Sequence, residues 1–291
     1  MGKTYMFVTA GERTGGGRPS EDRIVYAPHA PHAVVVLDGV STLATTTPLG
    51  GWYADCLGME LTAGLMQAPD GDLREILERA IGSVTVRHGL VPGESPAATV
   101  AIARMHDAQV EALVLADTPV IPLLRDGGVD ELRDDRLADL VTVQPRYQEY
   151  QQRLKDGEGF DSPDHRRLLQ ELRAIQMDHA NRQVPGAYWV AEAVPEAAHH
   201  AMVRSWPAAD LTGLLVMTDG VSCGVEEYGL FPSWTAMAQD CEKGGPQSVV
   251  DAVHSYEETD PDGRQHPRYK LHDDKALVWA RLDTSAGDGT R

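Results

Sequence analysis

The stretch AVVVLDGVST, residues 33–42, is the part of the sequence from which the fold is best argued. Its first five residues form an unbroken apolar run rich in valine, which is typical of a strand buried on both faces. The run ends at Asp38, and Gly39 follows. A carboxylate is costly in a core unless it is paired or bound to a cation, and glycine lets the backbone approach a ligand, so the pair indicates a metal site. An Asp-Gly turn between two elements is the alternative, and for an isolated stretch it is the commoner structure.

The same pattern recurs at other strand ends. Residues 214–222, LLVMTDGVS, again place an apolar strand before Asp-Gly. Residues 271–280, LHDDKALVWA, reverse the order, with Asp273 opening an apolar strand, and residues 113–118, LVLADT, end a strand on Asp117. Carboxylates at such ends can converge on one oxygen-lined cluster, which is the ligand set that Mg²⁺ and Mn²⁺ prefer. The recurrence therefore favours a metal site over unrelated turns.

The composition limits the classes of partner. The chain has 291 residues and a formal net charge of −18, which suits one large domain or a domain with an insertion. The excess of acid argues against a nucleic-acid backbone or an anionic membrane as partner, since both need clustered Lys and Arg. We find no apolar run of about eighteen residues and no signal-peptide core, so we expect a cytoplasmic protein, and a monomer. The three cysteines lack the spacing of a zinc site or of a disulfide framework.

Hydrophobic periodicity predicts the remaining elements. Apolar runs predict further strands at 5–9, 23–26, 99–104, 110–115, 120–124 and 275–282, and apolar residues at helical spacing predict helices at 49–66, 72–87 and 247–257. Short links within 99–124 favour antiparallel hairpins over strand-helix alternation. Loops are expected at 11–22, which is rich in glycine, and at 226–229, and a frayed tail at 284–291.

Residues 131–204 differ from the rest because they are polar and highly charged. Helices are predicted within them at 147–155 and 163–180, separated by a glycine-containing break. A polar helical pair inserted between strands is typical of a flap or recognition element over a site. A solvated helical insertion without a direct role is the alternative.

The order of the motifs then points to a family. From residue 4 to residue 282 the chain resembles the metal-dependent protein phosphatases of type 2C, the PPM family, in their bacterial form. The matching segments are SED at 20–22, DG at 38–39, AATVA at 97–101, ADTPV at 116–120, TDG at 218–220 and DDKALV at 273–278. Each segment alone is weak, and the signal lies in their shared order.

The resemblance implies a fold and a reaction. The fold is α+β, a four-layer α/β/β/α sandwich with two central antiparallel sheets. It would form a single domain over 1–283 with a helical flap insertion at about 131–204. The reaction is hydrolysis of phosphate monoesters on serine and threonine of a phosphorylated protein substrate by a metal-bridged hydroxide. Two Mn²⁺ or Mg²⁺ ions are implied, with a third in some bacterial members.

The resemblance also assigns roles residue by residue. The implied metal set is Asp38 bridging both ions, the Gly39 carbonyl on one ion, Asp219 and Asp273 on the other, Glu21 and Asp22 orienting metal-bound water, and Asp117 at the third ion. Cations are needed in such a site, because a phosphate monoester is an anion that bare carboxylates would repel.

Departures from the family pattern leave other functions open. The phosphate-binding Arg of relatives matches Gly17 here, so Arg18 is the candidate for this contact and Arg13 the second candidate. Ser41-Thr42 replace the usual Gly-Gly. These changes motivate the alternative of a catalytically weak or inactive regulatory or binding module with the same fold. A haloacid dehalogenase-like enzyme with Asp38 as nucleophile is disfavoured, because Val40 stands where its second aspartate belongs.

Overall fold

The computed structural model describes residues 4–16, 18–27, 32–40 and 50–284, which form two antiparallel sheets flanked by helices. The four-stranded sheet has the order β1-β9-β8-β6 and contains β1 (Thr4–Arg13), β9 (Lys275–Thr284), β8 (Leu211–Met217) and β6 (Val120–Leu124). The five-stranded sheet has the order β2-β3-β4-β5-β7 and contains β2 (Asp22–Ala27), β3 (His32–Val40), β4 (Ala97–His106), β5 (Gln109–Leu115) and β7 (Met202–Pro207).

Strand β3 shows why its sequence is apolar without alternation. Val34 and Val36 pack into the core between the two sheets. Val35 and Leu37 point the other way, into the core beneath the first helices. Successive side chains of a strand face opposite sides, so a strand covered on both faces must be apolar throughout. The prediction of a doubly buried strand is therefore confirmed.

Helices cover the outer face of each sheet. Helices α1 (Gly50–Gln67) and α2 (Leu73–His88) pack on the five-stranded sheet. Helices α6 (Asp219–Glu226), α7 (Trp234–Gly244) and α8 (Pro246–Glu258) pack on the four-stranded sheet. The layers are thus helix, sheet, sheet, helix, which confirms the predicted α+β four-layer sandwich.

An insertion of helices connects β6 to β7. It contains α3 (Arg136–Thr142), α4 (Pro145–Lys155) and α5 (Pro163–His179), followed by a 3₁₀ turn at Pro195–His200. The predicted helices at 147–155 and 163–180 correspond closely to α4 and α5. Strand β7 begins at Met202, so the last three residues of the predicted insertion belong to the five-stranded sheet, where they pair with β5.

Other differences follow from strand pairing and from helix caps. Strand β1 extends to Arg13, into the predicted glycine-rich loop, because it pairs with β9 along its whole length. Helix α7 was not predicted and begins after Ser233, whose hydroxyl oxygen accepts a hydrogen bond from the Ala236 amide. Gly17, Ser41-Thr42 and residues 285–291 of the predicted tail lie outside the described residues.

Among the described residues, none of the helices combines the length and apolar character needed to cross a membrane.

Candidate metal centre

Strand ends bring acidic side chains together at one end of the sandwich. Asp22, the first residue of β2, pairs directly with Asp38 of β3. Strands β8 and β9 are antiparallel, with Met217 opposite Leu277. Asp219, which follows β8, and Asp273, which precedes β9, therefore lie at the same end of the sandwich. We call the resulting group the carboxylate cluster. It consists of Asp38 and of the four residues whose charges act on its carboxyl, Asp22, Asp117, Asp219 and Asp273.

Close backbone approach explains the glycine after Asp38. The Gly39 amide donates to the Glu21 carbonyl oxygen at 3.1 Å. A Cβ atom on Gly39 would lie 2.5 Å from the carbonyl carbon of Gly50, the first residue of α1. Any larger residue would therefore push β3 away from α1 and displace Asp38.

Asp274 anchors the glycine-rich loop to the cluster. Its Oδ1 accepts from the Gly15 amide at 2.7 Å and its Oδ2 accepts from the Glu21 amide at 2.8 Å. The Glu21 carboxylate in turn accepts from the Gly51 amide in the first turn of α1, at 3.4 Å. Asp274 therefore positions Glu21 at the rim of the cluster, a role that the sequence did not reveal.

Buried threonine hydroxyls hold the cluster from the protein side. Thr218 Oγ1 donates to Asp22 Oδ2 at 2.8 Å and accepts from the Ala276 amide at 3.1 Å. Thr99 Oγ1 accepts from the Asp38 amide at 3.3 Å and is hydrogen-bonded to Thr118. These hydroxyls are inaccessible to solvent, so they fix the carboxylates without competition from water.

Asp117 follows a strained turn. Ala116 adopts φ 66°, a conformation that an alanine seldom takes. Its amide donates to Asp134 Oδ2 at 3.0 Å, and Asp134 is buried and paired with Arg136 at 2.6 Å. The Asp134–Arg136 pair thus supports the backbone that presents Asp117 to the cluster.

The cluster is electrostatically unfavourable when no cation is bound. Burial raises the pKa of Asp22 to about 7, and the charge of Asp273 adds to the rise. Burial also raises the pKa of Asp117 to about 6. Burial and the neighbouring carboxylates raise the pKa values of Asp38 and Asp219 well above the ordinary range. Asp219 faces water in the cleft but is surrounded by protein, so little of its charge is solvated.

A lysine that the sequence did not single out lies against the cluster. Lys270 Nζ is 2.5 Å from Asp273 Oδ1. Burial lowers the pKa of this ammonium, but the carboxylates of Asp273, Asp38 and Asp219 outweigh burial and raise it. One monovalent cation cannot neutralise five carboxylates. The oxygen-only donor set therefore fits hard divalent cations such as Mg²⁺ and Mn²⁺.

Four members of the cluster, Asp38, Asp117, Asp219 and Asp273, form the floor of a cleft of about 850 Å³, whereas the buried Asp22 does not line it. The insertion supplies one wall, through α5 and the chain that follows it, with Arg173, Gln176, Arg182 and Tyr188. Glu21 and Gly39 line the same cleft, whereas the exposed Arg18 and the sequence-predicted second candidate Arg13 do not. Arg13 instead pairs with Asp251 of α8 at 2.8 Å. The structure thus does not bring the predicted phosphate contact, Arg18, into the cleft.

Comparison with known proteins supports the fold assignment. No protein-family model and no curated protein matches the sequence. Among solved structures, the PPM Ser-Thr phosphatase MsPP from Mycobacterium smegmatis, in complex with cacodylate, is 18% identical with a TM-score of 0.53, covering 95% of this chain and 98% of that one. PppA, a regulatory component of the type VI secretion system in Pseudomonas aeruginosa, is 16% identical with a TM-score of 0.55, covering 97% and 100%.

A third similar structure contains metal. The catalytic domain of the serine/threonine phosphatase PstP, in complex with two manganese ions, is 14% identical with a TM-score of 0.52, covering 96% of this chain and 99% of that one. The chain therefore has the fold of the PPM serine/threonine phosphatases. The resemblance inferred from the ordered motifs is confirmed at the level of the fold.

Proposed function

We propose that the protein is a divalent-metal-dependent phosphatase that hydrolyses phosphate monoesters on serine and threonine of phosphorylated proteins. The observation that carries the proposal is the carboxylate cluster on the floor of an open cleft, with pKa values raised by burial and by mutual repulsion. A purely structural role does not explain such an arrangement, because five acidic groups in one place destabilise the fold unless cations bind them.

The acidic side chains of the site would have different roles. Asp38, Asp219 and Asp273, with the Gly39 carbonyl, would hold two Mn²⁺ or Mg²⁺ ions, and Asp117 a third. Such ions supply Lewis acidity, which makes water a better nucleophile and offsets the charge of the phosphoryl group. Glu21, which lines the cleft, would orient the attacking water by accepting its hydrogen bond, and the buried Asp22 would support this role from its pairing with Asp38. The cleft would seat the phosphorylated side chain with its flanking peptide, against the wall formed by α5.

Lys270 would make the phosphate contact that an arginine makes in the phosphatases that this sequence resembles. Its ammonium lines the cleft and lies against Asp273, whereas Arg18 is outside the cleft. Once divalent ions neutralise the carboxylates, Lys270 would be free to pair with a phosphoryl oxygen.

We further propose the setting of this reaction. Residues 1–283 would act as one domain, with α3–α5 as the flap over the cleft. The net charge of −18 favours a protein substrate over nucleic acid or an anionic membrane. A monomer acting in cytoplasmic, bacterial phosphoprotein signalling fits this charge and the described fold.

The direct test is hydrolysis of para-nitrophenyl phosphate with and without Mn²⁺. We expect metal-dependent turnover that falls at least about a hundredfold in Asp38→Asn and in Asp219→Asn. Asp240→Asn is the matched control, because Asp240 lies on α7, away from the cleft, and pairs with Lys243 at the surface. Turnover that survives both cluster substitutions would refute the proposal.

The role of Lys270 is tested separately. Loss of a charge-assisted hydrogen bond costs about 1.5–3 kcal/mol, so Lys270→Met should raise KM, and the inhibition constant of inorganic phosphate, about 10- to 100-fold. Lys243→Met, which removes an exposed lysine, should change neither value. If Lys270→Met instead lowers the Mn²⁺ concentration needed for activity and leaves KM unchanged, Lys270 competes with metal and does not bind phosphate.

A regulatory module without catalysis is the second candidate. It is favoured by one observation, that Arg18 is not positioned in the cleft. Stoichiometric Mn²⁺ binding without turnover of either para-nitrophenyl phosphate or a phosphothreonine peptide would establish this alternative.

A further inference from the structure

Three side chains of metal-binding types meet outside the carboxylate cluster. His254 and Glu258 lie one turn apart on α8, and His272 lies just before β9. Their ligand atoms all fall within 4.8 Å of one another. His254 Nε2 is 3.8 Å from Glu258 Oε1, and the two imidazole rings stack with centroids 3.9 Å apart and an interplanar angle of 14°.

A buried carboxylate fixes the tautomer of His272. His272 Nδ1 is 2.8 Å from Glu257 Oε2, and the same oxygen accepts from Lys275 Nζ at 2.8 Å. The same Glu257 oxygen accepts from Lys275, so His272 Nδ1 is the donor in this contact, and in the neutral imidazole Nε2 then carries the lone pair. A carboxylate that receives the Nδ1 proton of a histidine is the usual support of a metal-ligating imidazole.

His254 is a buried histidine whose ring lacks hydrogen bonds to the described residues. Its side chain is buried, with 8% of the residue exposed, and its Nδ1 has no hydrogen-bond partner among the described residues. The 3.8 Å separation of Nε2 from Glu258 is too long for a hydrogen bond. Neither ring nitrogen of His254 is held by a hydrogen bond to the described residues, so Nε2, the nitrogen that faces Glu258, is available to bind an ion.

We propose that His254, Glu258 and His272 form a binding site for a transition-metal ion such as Zn²⁺ or Cu²⁺. Two imidazoles and one carboxylate match the ligand preference of these ions, whereas the oxygen-only carboxylate cluster matches Mg²⁺ and Mn²⁺. The ligand atoms around a tetrahedral Zn²⁺ lie about 3.3 Å apart. Binding therefore requires the stacked rings to tilt and Glu258, which is exposed, to close on the ion. Solvent would fill the remaining position.

The site is independent of the phosphatase proposal, and its test does not use activity. Cu²⁺ is added to the full chain in excess Mg²⁺, which keeps the carboxylate cluster filled, and the bound Cu²⁺ is observed by electron paramagnetic resonance. We expect one tightly bound ion with couplings to imidazole nitrogen. The couplings should fall from those of two imidazoles to those of one in His254→Gln, and the affinity should fall at least about tenfold in Glu258→Gln.

The matched control is His199→Gln. His199 is exposed and pairs with Glu78 at 3.2 Å, which makes it a histidine–carboxylate pair without a third ligand. This variant should bind Cu²⁺ as the wild type does. Glu258→Gln changes an exposed side chain, so it should fold normally even if His254→Gln does not. Couplings to two imidazoles that persist in His254→Gln with unchanged affinity in Glu258→Gln, or a Cu²⁺ signal with oxygen ligands alone, would overturn the proposal.

Discussion

Like-charged residues held together in a folded protein work against its stability. Asp22 and Asp38 are direct partners in the β2–β3 pairing, and the charges of Asp219, Asp273 and Asp117 also act on Asp38. The hydrogen bond from Thr218 to the Asp22 carboxylate reduces the penalty but supplies no positive charge, and Thr99 bonds only the backbone amide of Asp38. The carboxylate cluster therefore lowers the stability of the metal-free fold and provides ligands for cations.

Removal of one carboxylate should make the metal-free protein more stable. We expect Asp38→Asn to raise the free energy of unfolding of the metal-free protein by about 1–3 kcal/mol, because the substitution removes a buried like charge. Denaturant unfolding in a chelator measures this change. Asp251→Asn, which removes an exposed carboxylate paired with Arg13, should be neutral or slightly destabilising. A metal-free Asp38→Asn protein less stable than wild type would show that the cluster is not under electrostatic stress.

At this scale the sequence revealed the ligand candidates better than their supports. Asp38, Asp117, Asp219 and Asp273 were predictable because each stands at the end of an apolar run, whereas Asp22 followed only from the family resemblance. Lys270, Thr218 and Asp134 were not, since their roles depend on contacts made across the fold. Asp134 in particular lies in a charged run that has the same pattern as a solvated surface.

Among the elements, α3, α4 and α5 stand apart because they pack mainly on one another. Their apolar side chains form a separate small core that includes Tyr150, Leu154, Leu168 and Leu172. A second small apolar cluster, in which Leu140 packs with Ala116, Tyr188 and Val190, joins the insertion to the rest of the fold, and polar and aromatic contacts add to it. His165 Nε2 lies 3.1 Å from the Tyr269 carbonyl oxygen, and the Arg268 guanidinium lies over the Phe160 ring at 5.1 Å. Such an element can open without unfolding the sheets.

Hydrogen exchange should detect that independence. Leu168→Ala leaves a cavity in the small core and should cost about 2–5 kcal/mol of local stability. We therefore expect faster amide exchange in α4 and α5 and unchanged protection in β3 and β4. Leu65→Ala in α1 is the control, because Leu65 belongs to the core beneath the five-stranded sheet and should reduce protection globally. Equal effects of the two variants on the sheets would contradict an independent insertion.

The elements that were missed have identifiable causes. Strand β7, MVRSWP, is an edge strand in which only Trp206 is buried, and its pairing with β5 makes it a strand. Helix α7 did carry a usable signal, because Trp234, Met237, Ala238 and Cys241 have helical spacing. The long elements α1, α2, α8 and β3 were predictable because their burial leaves a strong periodic or continuous apolar pattern.

For the whole molecule, proton binding and metal binding should oppose each other. Without metal, Asp22 and Asp117 have pKa values of about 7 and 6, above those of an unfolded aspartate. Between about pH 4 and those values the folded chain holds protons that the unfolded chain has lost. Stability should therefore fall as pH rises through this window and level off above it.

Thermal unfolding between pH 5 and pH 8 tests this dependence. In a chelator we expect the free energy of unfolding to fall by about 1.4 kcal/mol per pH unit for each retained proton. With saturating Mn²⁺ the fall should shrink or reverse, because the ions displace those protons and bind better as the carboxylates ionise. Identical pH profiles with and without Mn²⁺ would mean that the titrating groups are not the metal ligands.

At the same scale, the layered architecture was predictable and the shape of the cleft was not. The order helix, sheet, sheet, helix followed from the family resemblance, and the doubly apolar strand β3 and the one-sided helices agree with it. The cleft depends on how α5 and its following segment sit over the strand ends, which rests on long-range contacts without a local signature.

If the carboxylate cluster is a divalent-metal centre, the chain must bind Mn²⁺ there, and equilibrium dialysis counts the bound ions. We expect at least two ions per chain for the wild type and for His254→Gln, and fewer for Asp38→Asn. Absence of Mn²⁺ binding by the wild type, or an unchanged number of ions in Asp38→Asn, would contradict it.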